Sequence, residues 1–308
     1  MRFERPGGTG ESRPDSPSPV DRTARAGQRM DEAAAAWREA QAARDAYRGD
    51  GTGFDLAAPL PALDGGDDTT PWDELAAFRA ADANLPPVPA GDAPGYIASA
   101  PADRPWLLSA KDSHPAIQYV FAALDGGAGH PTERHEGWLT ADQLIRRVTR
   151  LEDPAQLDAA ARARAVDAYT GRRHGCGPYA TRFVGPDVFA TAVVRAVGHP
   201  KTRGVLDGTY DPSDPARPIK LPISDLLGPD GHRFCEGYAI DPVNGSVADA
   251  IRLRRQWVVA RAGAPQATTA PTASPIGGFE GGTVSIAFKP TVDGRRNQLA
   301  TMFVNPRQ

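Results

Sequence analysis

Cysteine is nearly absent from this chain of 308 residues: there are two, Cys176 and Cys235. Two thiols allow one disulfide at most, which excludes a disulfide framework as the basis of the fold. Long apolar runs are missing too. None approaches the roughly 18 residues of a membrane span, so no membrane partner is expected. The first eight residues lack the apolar core of a secretory signal, and the expected location is the cytoplasm, or outside it by a non-Sec route. An excess of positive charge is also lacking. With 35 Lys and Arg against 38 Asp and Glu, the net charge is -3, and no nucleic-acid partner is expected. The clusters Arg146-Arg147, Arg172-Arg173 and Arg252 to Arg255 read as solvated helix faces. Lys, Asn and Ile are outnumbered by Ala, Arg, Pro and Gly, a bias of GC-rich bacterial genomes.

Glycine and proline, 32 and 30 residues, are abundant and point to long irregular connections. Residues 1–30 hold almost no apolar side chains and read as a flexible leader. Residues 31–104 form a helical, Pro/Gly-rich segment, with a helix over Glu32 to Arg48 and a short one opening at Thr70-Pro71. The main domain is expected over 105–308.

Within it, Pro115 to Leu124 reads as a helix, Asp125 to Glu136 as a polar loop, and Thr140 to Leu151 as an amphipathic helix turning Leu144, Ile145 and Val148 inward. The loop resembles a degenerate EF-hand. Its ligand positions fall on Thr132, Arg134, Glu136 and Gln143, too few acids for calcium, and its His130 and His135 read as solvent-exposed. Pro154 to Tyr169 is a further expected helix, and Val188 to Val197 a buried helix or buried strand, with length and alanine content favouring helix. Phe234 to Ile240 reads as a strand, Pro242 to Gly245 as a turn, Val247 to Ala260 as a helix or long strand, and Ala264 to Pro275 as a linker. Thr283 to Lys289 and Gln298 to Val304 form a hairpin. The fold class is α+β: helices with a helix-loop-helix unit, then a small antiparallel sheet, behind a disordered tail.

Chemistry concentrates at Arg172-Arg173-His174-Gly175-Cys176-Gly177-Pro178-Tyr179. Positive charge stabilises a thiolate, and glycines let a reacting group approach the sulfur, so Cys176 is the candidate nucleophile and Gly175, Gly177 and Tyr179 are candidate substrate-binding residues. His232 is the candidate base and Asp241 its orienter. A straight strand between those two would hold them about 30 Å apart at roughly 3.3 Å per residue, so His199 and Asp225 are substitutes. Zinc is the alternative cofactor, held by His174, Cys176, His232 and Cys235. A Cys176–Cys235 disulfide and two unrelated structural thiols are further readings.

Gly-Cys-Gly-Pro, followed by Gly231-His232 and Asp241-Pro242-Val243-Asn244-Gly245, resembles the Cys, His, Asp order of papain-like peptidases and glutamine deamidases. Asn244 to Val247 and Gly282 to Pro290 are similar to pieces of the microbial transglutaminases. The resemblance implies an effector- or toxin-like amide hydrolase or acyl transferase that forms a thioester on a Gln side chain or peptide amide of a protein substrate, without a cofactor. An immunity or delivery partner goes with that reading. The alternative is a non-enzymatic binding or structural module built on the helix-loop-helix and a His/Cys zinc clip.

Overall fold

Asp92 opens the first described helix, α1 (Ala93–Ala98), by accepting the Gly95 amide at 3.3 Å. The computed structural model describes residues 92–127, 129–203, 205, 218–261, 269–290 and 297–307, all within the unit Phe54–Gln308. The expected leader and the helices at Glu32 and Thr70 lie outside these residues. The fold starts before the expected boundary at 105. Asp125 explains why, because its carboxylate takes donors from Tyr96 (2.6 Å), Arg104 (2.8 Å) and Trp106 (3.0 Å), tying α1 and α2 (Pro105–Leu108) to the end of α3 (Pro115–Asp125).

Residues 131–135, expected in a loop, form the short helix α4 (Pro131–His135) with Pro131 at its start, and all five are buried. No twelve-residue cation loop is left. Gln143 serves instead in the capping box of α5 (Ala141–Arg150): the Thr140 hydroxyl accepts the Gln143 amide at 3.2 Å, and the Gln143 side chain accepts the Thr140 amide at 2.7 Å. Leu144 and Val148 face inward as expected. The helix expected over Pro154 to Tyr169 shrinks to α6 (Ala159–Ala163), capped by Asp158 and ended where Ala165 takes φ 57°.

The apolar run at 188–197 is helix, within α7 (Pro186–Gly198), entered through Gly185 at φ 102°. Phe189 on it meets Phe121 of α3 and Phe183 edge-on, with ring centroids 5.5 and 5.7 Å apart. All three rings are fully buried. The turn α8 (Pro200–Arg203) comes next.

Among the described residues, two three-stranded antiparallel sheets accompany the helices. One has the order β1 (Tyr179–Phe183), β3 (Cys235–Ile240), β4 (Ala273–Pro275); the other β2 (Ile219–Pro222), β5 (Thr283–Pro290), β6 (Asn297–Asn305). The β5–β6 pair is the expected hairpin, whereas β4 lies where a linker was expected and β1 has no counterpart among the expected elements. Thr181 in β1 donates to the Val304 carbonyl of β6 at 2.7 Å, linking the sheets. Ile223–Leu227 is helix α9, a 3-10 turn covers Gly231–Phe234, and Val247–Arg261 is helix α10. Asn244 and Gly245, both at positive φ, make the tight turn before α10. The fold is α+β, and among the described residues no helix is long and apolar enough to cross a membrane.

Candidate active site

Cys176 sits in the extended segment between α6 and β1, with the Pro178 carbonyl fixed by the Ile240 amide at 2.9 Å. Its side chain packs between two apolar clusters, one containing Val148, Ala180 and Ile240, the other Leu151, Ala165 and Val258. The sulfur is half-buried, and Gly175 and Gly177 on either side are exposed. A Cβ on either glycine would meet nothing within 4 Å, and neither has positive φ. The fold therefore does not require glycine there.

The strand register places the expected partners. Tyr179 pairs with Ala239 and Phe183 with Cys235, so the Cys176 segment lies at the Ile240 end of β3 and His232 lies beyond the opposite end. Phe183 is four residues, about 13 Å, along β1 from Tyr179. The structure thus separates Cys176 from both His232 and Cys235. This rules out the four-residue zinc set and a Cys176–Cys235 disulfide, which needs Cα atoms within about 7 Å. Both thiols are free. His232 Nδ1 is 3.2 Å from the Pro229 carbonyl oxygen, and Asp241 uses its backbone amide to bond Thr272. His199 and Asp225 approach each other at 3.8 Å instead of Cys176. The Cys176 thiol donates to the Tyr179 carbonyl at 3.4 Å, so Tyr179 does reach the sulfur, through its backbone.

What surrounds Cys176 comes from residues that sequence reasoning left on the surface. Arg254 is buried, and its guanidinium holds the carbonyls of Val148, Gly177 and Cys176 at 2.7, 2.9 and 2.7 Å while lying beside the thiol. Arg147, also buried, donates to the Arg134 carbonyl at 2.6 Å and is the second cation in electrostatic reach of the sulfur. Burial lowers the pKa of both arginines, and proximity to Cys176 opposes that shift. The Nε–H groups of both have no partner among the described residues.

Beyond them lies a buried ionic lattice. Arg134 Nε and Nη2 donate to Asp153 at 2.8 and 2.5 Å, and Nη2 also to Asp167 at 2.7 Å. Asp153 further accepts the amides of Ala155 and Ala168. The hairpin bridged at Val166 and Arg173 returns His174 onto Asp167, with Nδ1 to Oδ2 at 3.0 Å. Burial raises the Asp167 carboxyl, but the His174 bond, the Arg134 charge and the Thr170 and Tyr169 amides outweigh it and hold the group well below the carboxylate range. An ionised Asp167 requires Nδ1 to carry the proton, which leaves a lone pair on His174 Nε2, an atom that is buried and unpartnered among the described residues. Burial first, then the Arg147 charge, lowers His174 to about 4, so the ring is neutral at pH 7.

Asp153, Asp167 and His174 are close enough together to hold a metal ion. The Arg134 guanidinium already stands where the cation would, bonded to both carboxylates. Tyr169 covers the lattice, its ring 5.0 Å from the Arg134 guanidinium and its hydroxyl donating to Glu133 at 2.7 Å. The half-buried His130 ring lies tilted against Tyr169 at 5.2 Å, and the buried His135 stacks on Phe303, so neither is the solvent-exposed loop histidine expected.

Comparison of the chain with protein-family models, with curated proteins and with solved structures finds no match in any of the three. Site geometry is therefore what distinguishes one function from another.

Sequence signals existed for part of this site. Arg147 falls between Leu144 and Val148 on the apolar face of α5, and Arg254 falls between Ala250 and Val258 at helical spacing on α10. The Arg134–Asp153–Asp167 lattice had no local signal, because its members come from α4 and two loops.

Proposed function

We propose that the chain is a cysteine-dependent amide hydrolase or acyl transferase with Cys176 as nucleophile. His174, oriented by Asp167, replaces His232 and Asp241 as proton acceptor and orienter. What supports this reading is the half-buried cysteine, flanked by two glycines the fold does not require, with the Arg254 guanidinium bonded to its carbonyl and a neutral His174–Asp167 pair two residues ahead of it in the chain.

In the proposed reaction, the thiol turns from the Tyr179 carbonyl and passes its proton to His174 Nε2, while Arg254 and Arg147 balance the thiolate charge. Sulfur attacks the carbonyl carbon of a Gln side-chain or peptide amide. The open flanks at Gly175 and Gly177 admit the amide and expose backbone N–H groups to the developing oxyanion. Collapse expels ammonia or an amine, which takes the proton back from His174, and water or a second amine then cleaves the thioester.

The test is ammonia release from glutamine-containing casein. Wild-type protein is expected to release ammonia, and Cys176→Ala to release none. No release by wild type, or undiminished release by Cys176→Ala, overturns the proposal.

A second reading, a binding module, is favoured by a shallow cleft of about 100 Å³ lined by Arg150, Ala163, Arg164, Trp257, Val258 and Arg261. The arginines there also sit at or just past the C-terminal ends of α5, α6 and α10, where cations answer the helix dipole. That role accounts for them without a ligand, which ranks this reading second.

A further inference from the structure

The cleft at the ends of α5, α6 and α10 has three arginines on its walls, Arg150, Arg164 and Arg261, and no carboxylate. The helix dipoles account for the charges being there but leave their N–H groups unused, because other groups answer the last carbonyls. On α5 the Arg147 carbonyl accepts the Leu151 amide and the Val148 carbonyl accepts Arg254; on α6 the Ala161 and Arg162 carbonyls accept the amides of Val166 and Ala165. Among the described residues the side chains of Arg150 and Arg164 make no hydrogen bond and no ion pair. Arg261 gives one bond, from Nη1 to Glu152 at 3.3 Å. Asp158 lies in electrostatic reach of Arg164, but its Oδ1 already accepts the Ala160 and Ala161 amides.

Trp257 holds two of the three cations in place. The Arg150 and Arg261 guanidinium carbons lie 5.8 and 5.0 Å from the centre of its ring, and the ring packs on the buried Leu151, Ala165 and Val258. A guanidinium held over an aromatic face keeps N–H donors at its edge, where an oxyanion can take them. The same contact restricts a long side chain in advance, which lowers the entropy lost when a ligand binds.

We propose that this cleft binds the phosphate group of a phosphate monoester. Three arginines, with Glu152 bonded to one of them, leave an excess of positive charge that a dianion answers better than a monoanion. A phosphate monoester carries about −1.5 to −2 at pH 7 and offers three acceptor oxygens, whereas a carboxylate carries a single charge. Size limits what enters. The cleft holds about 100 Å³, against the roughly 300–1,000 Å³ of a site that encloses a drug-sized ligand, so it takes the phosphate and leaves the rest of the molecule outside. The proposal does not rest on the reactivity of Cys176.

The experiment titrates the full chain at low salt, by isothermal titration calorimetry, with phenyl phosphate, with benzoate, and with a short phosphoserine peptide beside its unphosphorylated form. Saturable binding of phenyl phosphate is expected, with benzoate about tenfold weaker and phenyl phosphate about tenfold weaker in Arg150→Met and in Arg164→Met. Arg150→Lys keeps the charge without the fork and should fall between wild type and Arg150→Met, with urea midpoints confirming that each variant is folded. No saturable binding of either phosphate probe up to about 10 mM, or binding undiminished in both Met variants, overturns the proposal. Phenyl phosphate bound without the phosphopeptide assigns a small-molecule monoester. The phosphopeptide bound at least as tightly, and its unphosphorylated form not at all, assigns a phosphorylated protein. Binding without ammonia release from casein keeps this site and sinks the nucleophile, and ammonia release without binding does the reverse.

Discussion

The Nδ1 of His174 lies 3.0 Å from Asp167 Oδ2, held there by a short hairpin whose two ends these residues occupy. The Asp167 amide donates to the Arg172 carbonyl at 2.7 Å and the His174 amide to the Ala165 carbonyl at 2.8 Å. Backbone pairing therefore sets the ring orientation, two residues ahead of Cys176.

His174→Asn keeps a donor for Asp167 and removes a titrating ring. A histidine held at about 4 resists protonation in the folded state while the unfolded chain takes up its proton near 6.5. Its contribution to stability is thus present above pH 6.5 and lost as pH falls toward 4. Urea unfolding from pH 7 to pH 4 should show the variant gaining on wild type by up to about 3 kcal/mol, and a gap that does not change with pH refutes this.

Glu136 predicts the opposite slope. Burial raises its carboxyl to about 7, against the amides of Trp138 and Gly137 and the Ser109 hydroxyl, and its Oε1 has no partner among the described residues. The folded state holds this proton more tightly than the unfolded chain, so the cost of ionisation is absent below about pH 4.5 and complete above about pH 7. Glu136→Gln keeps an acceptor for Ser109 and Trp138. It should match wild type at pH 4 and exceed it by on the order of 3 kcal/mol at pH 8 in chemical denaturation.

Arg134→Met removes the cation from between Asp153 and Asp167 and leaves both carboxylates buried without it. A loss of about 3–5 kcal/mol is expected from equilibrium unfolding. A change below about 1 kcal/mol would show that the lattice does not hold α4 to the 153–174 loops.

Gly175→Ala and Gly177→Ala meet open space, so unfolding midpoints should stay level or rise slightly, by about 0.4–1 kcal/mol. Alkylation of Cys176 by iodoacetamide should slow in both, because the added methyl groups narrow the approach to sulfur. Unchanged alkylation would separate the glycines from the site.

Phe189→Ala opens a void between Phe121 and Phe183, and thermal or urea unfolding should register about 3–5 kcal/mol.

Helix α7, the β5–β6 hairpin and helix α5 were legible in the sequence, because each is specified by neighbouring residues: an unbroken apolar run, alternation around a turn, an apolar face repeating at helical spacing. The strands β1 and β4 were not. Each pairs with β3, and a strand of three to five residues acquires its identity from the partner that completes its hydrogen bonds. Arg147 and Arg254 misled for a related reason. A short basic cluster has the composition of a solvated face, and only packing of α5 and α10 against the Cys176 segment turns one arginine of each cluster inward.

By itself the sequence determined the α+β class, through the periodicity of the apolar residues, and it singled out Cys176 as a candidate, through a thiol set among glycines and cations. Which groups surround that thiol was decided only by tertiary structure. Pairing β1 with β3 carries His232 to the far end of a strand, and the hairpin at Val166 and Arg173 brings Asp167 onto His174. Burial makes those choices matter, because away from water an unpaired charge or N–H finds no solvent to satisfy it and must be answered by protein or ligand.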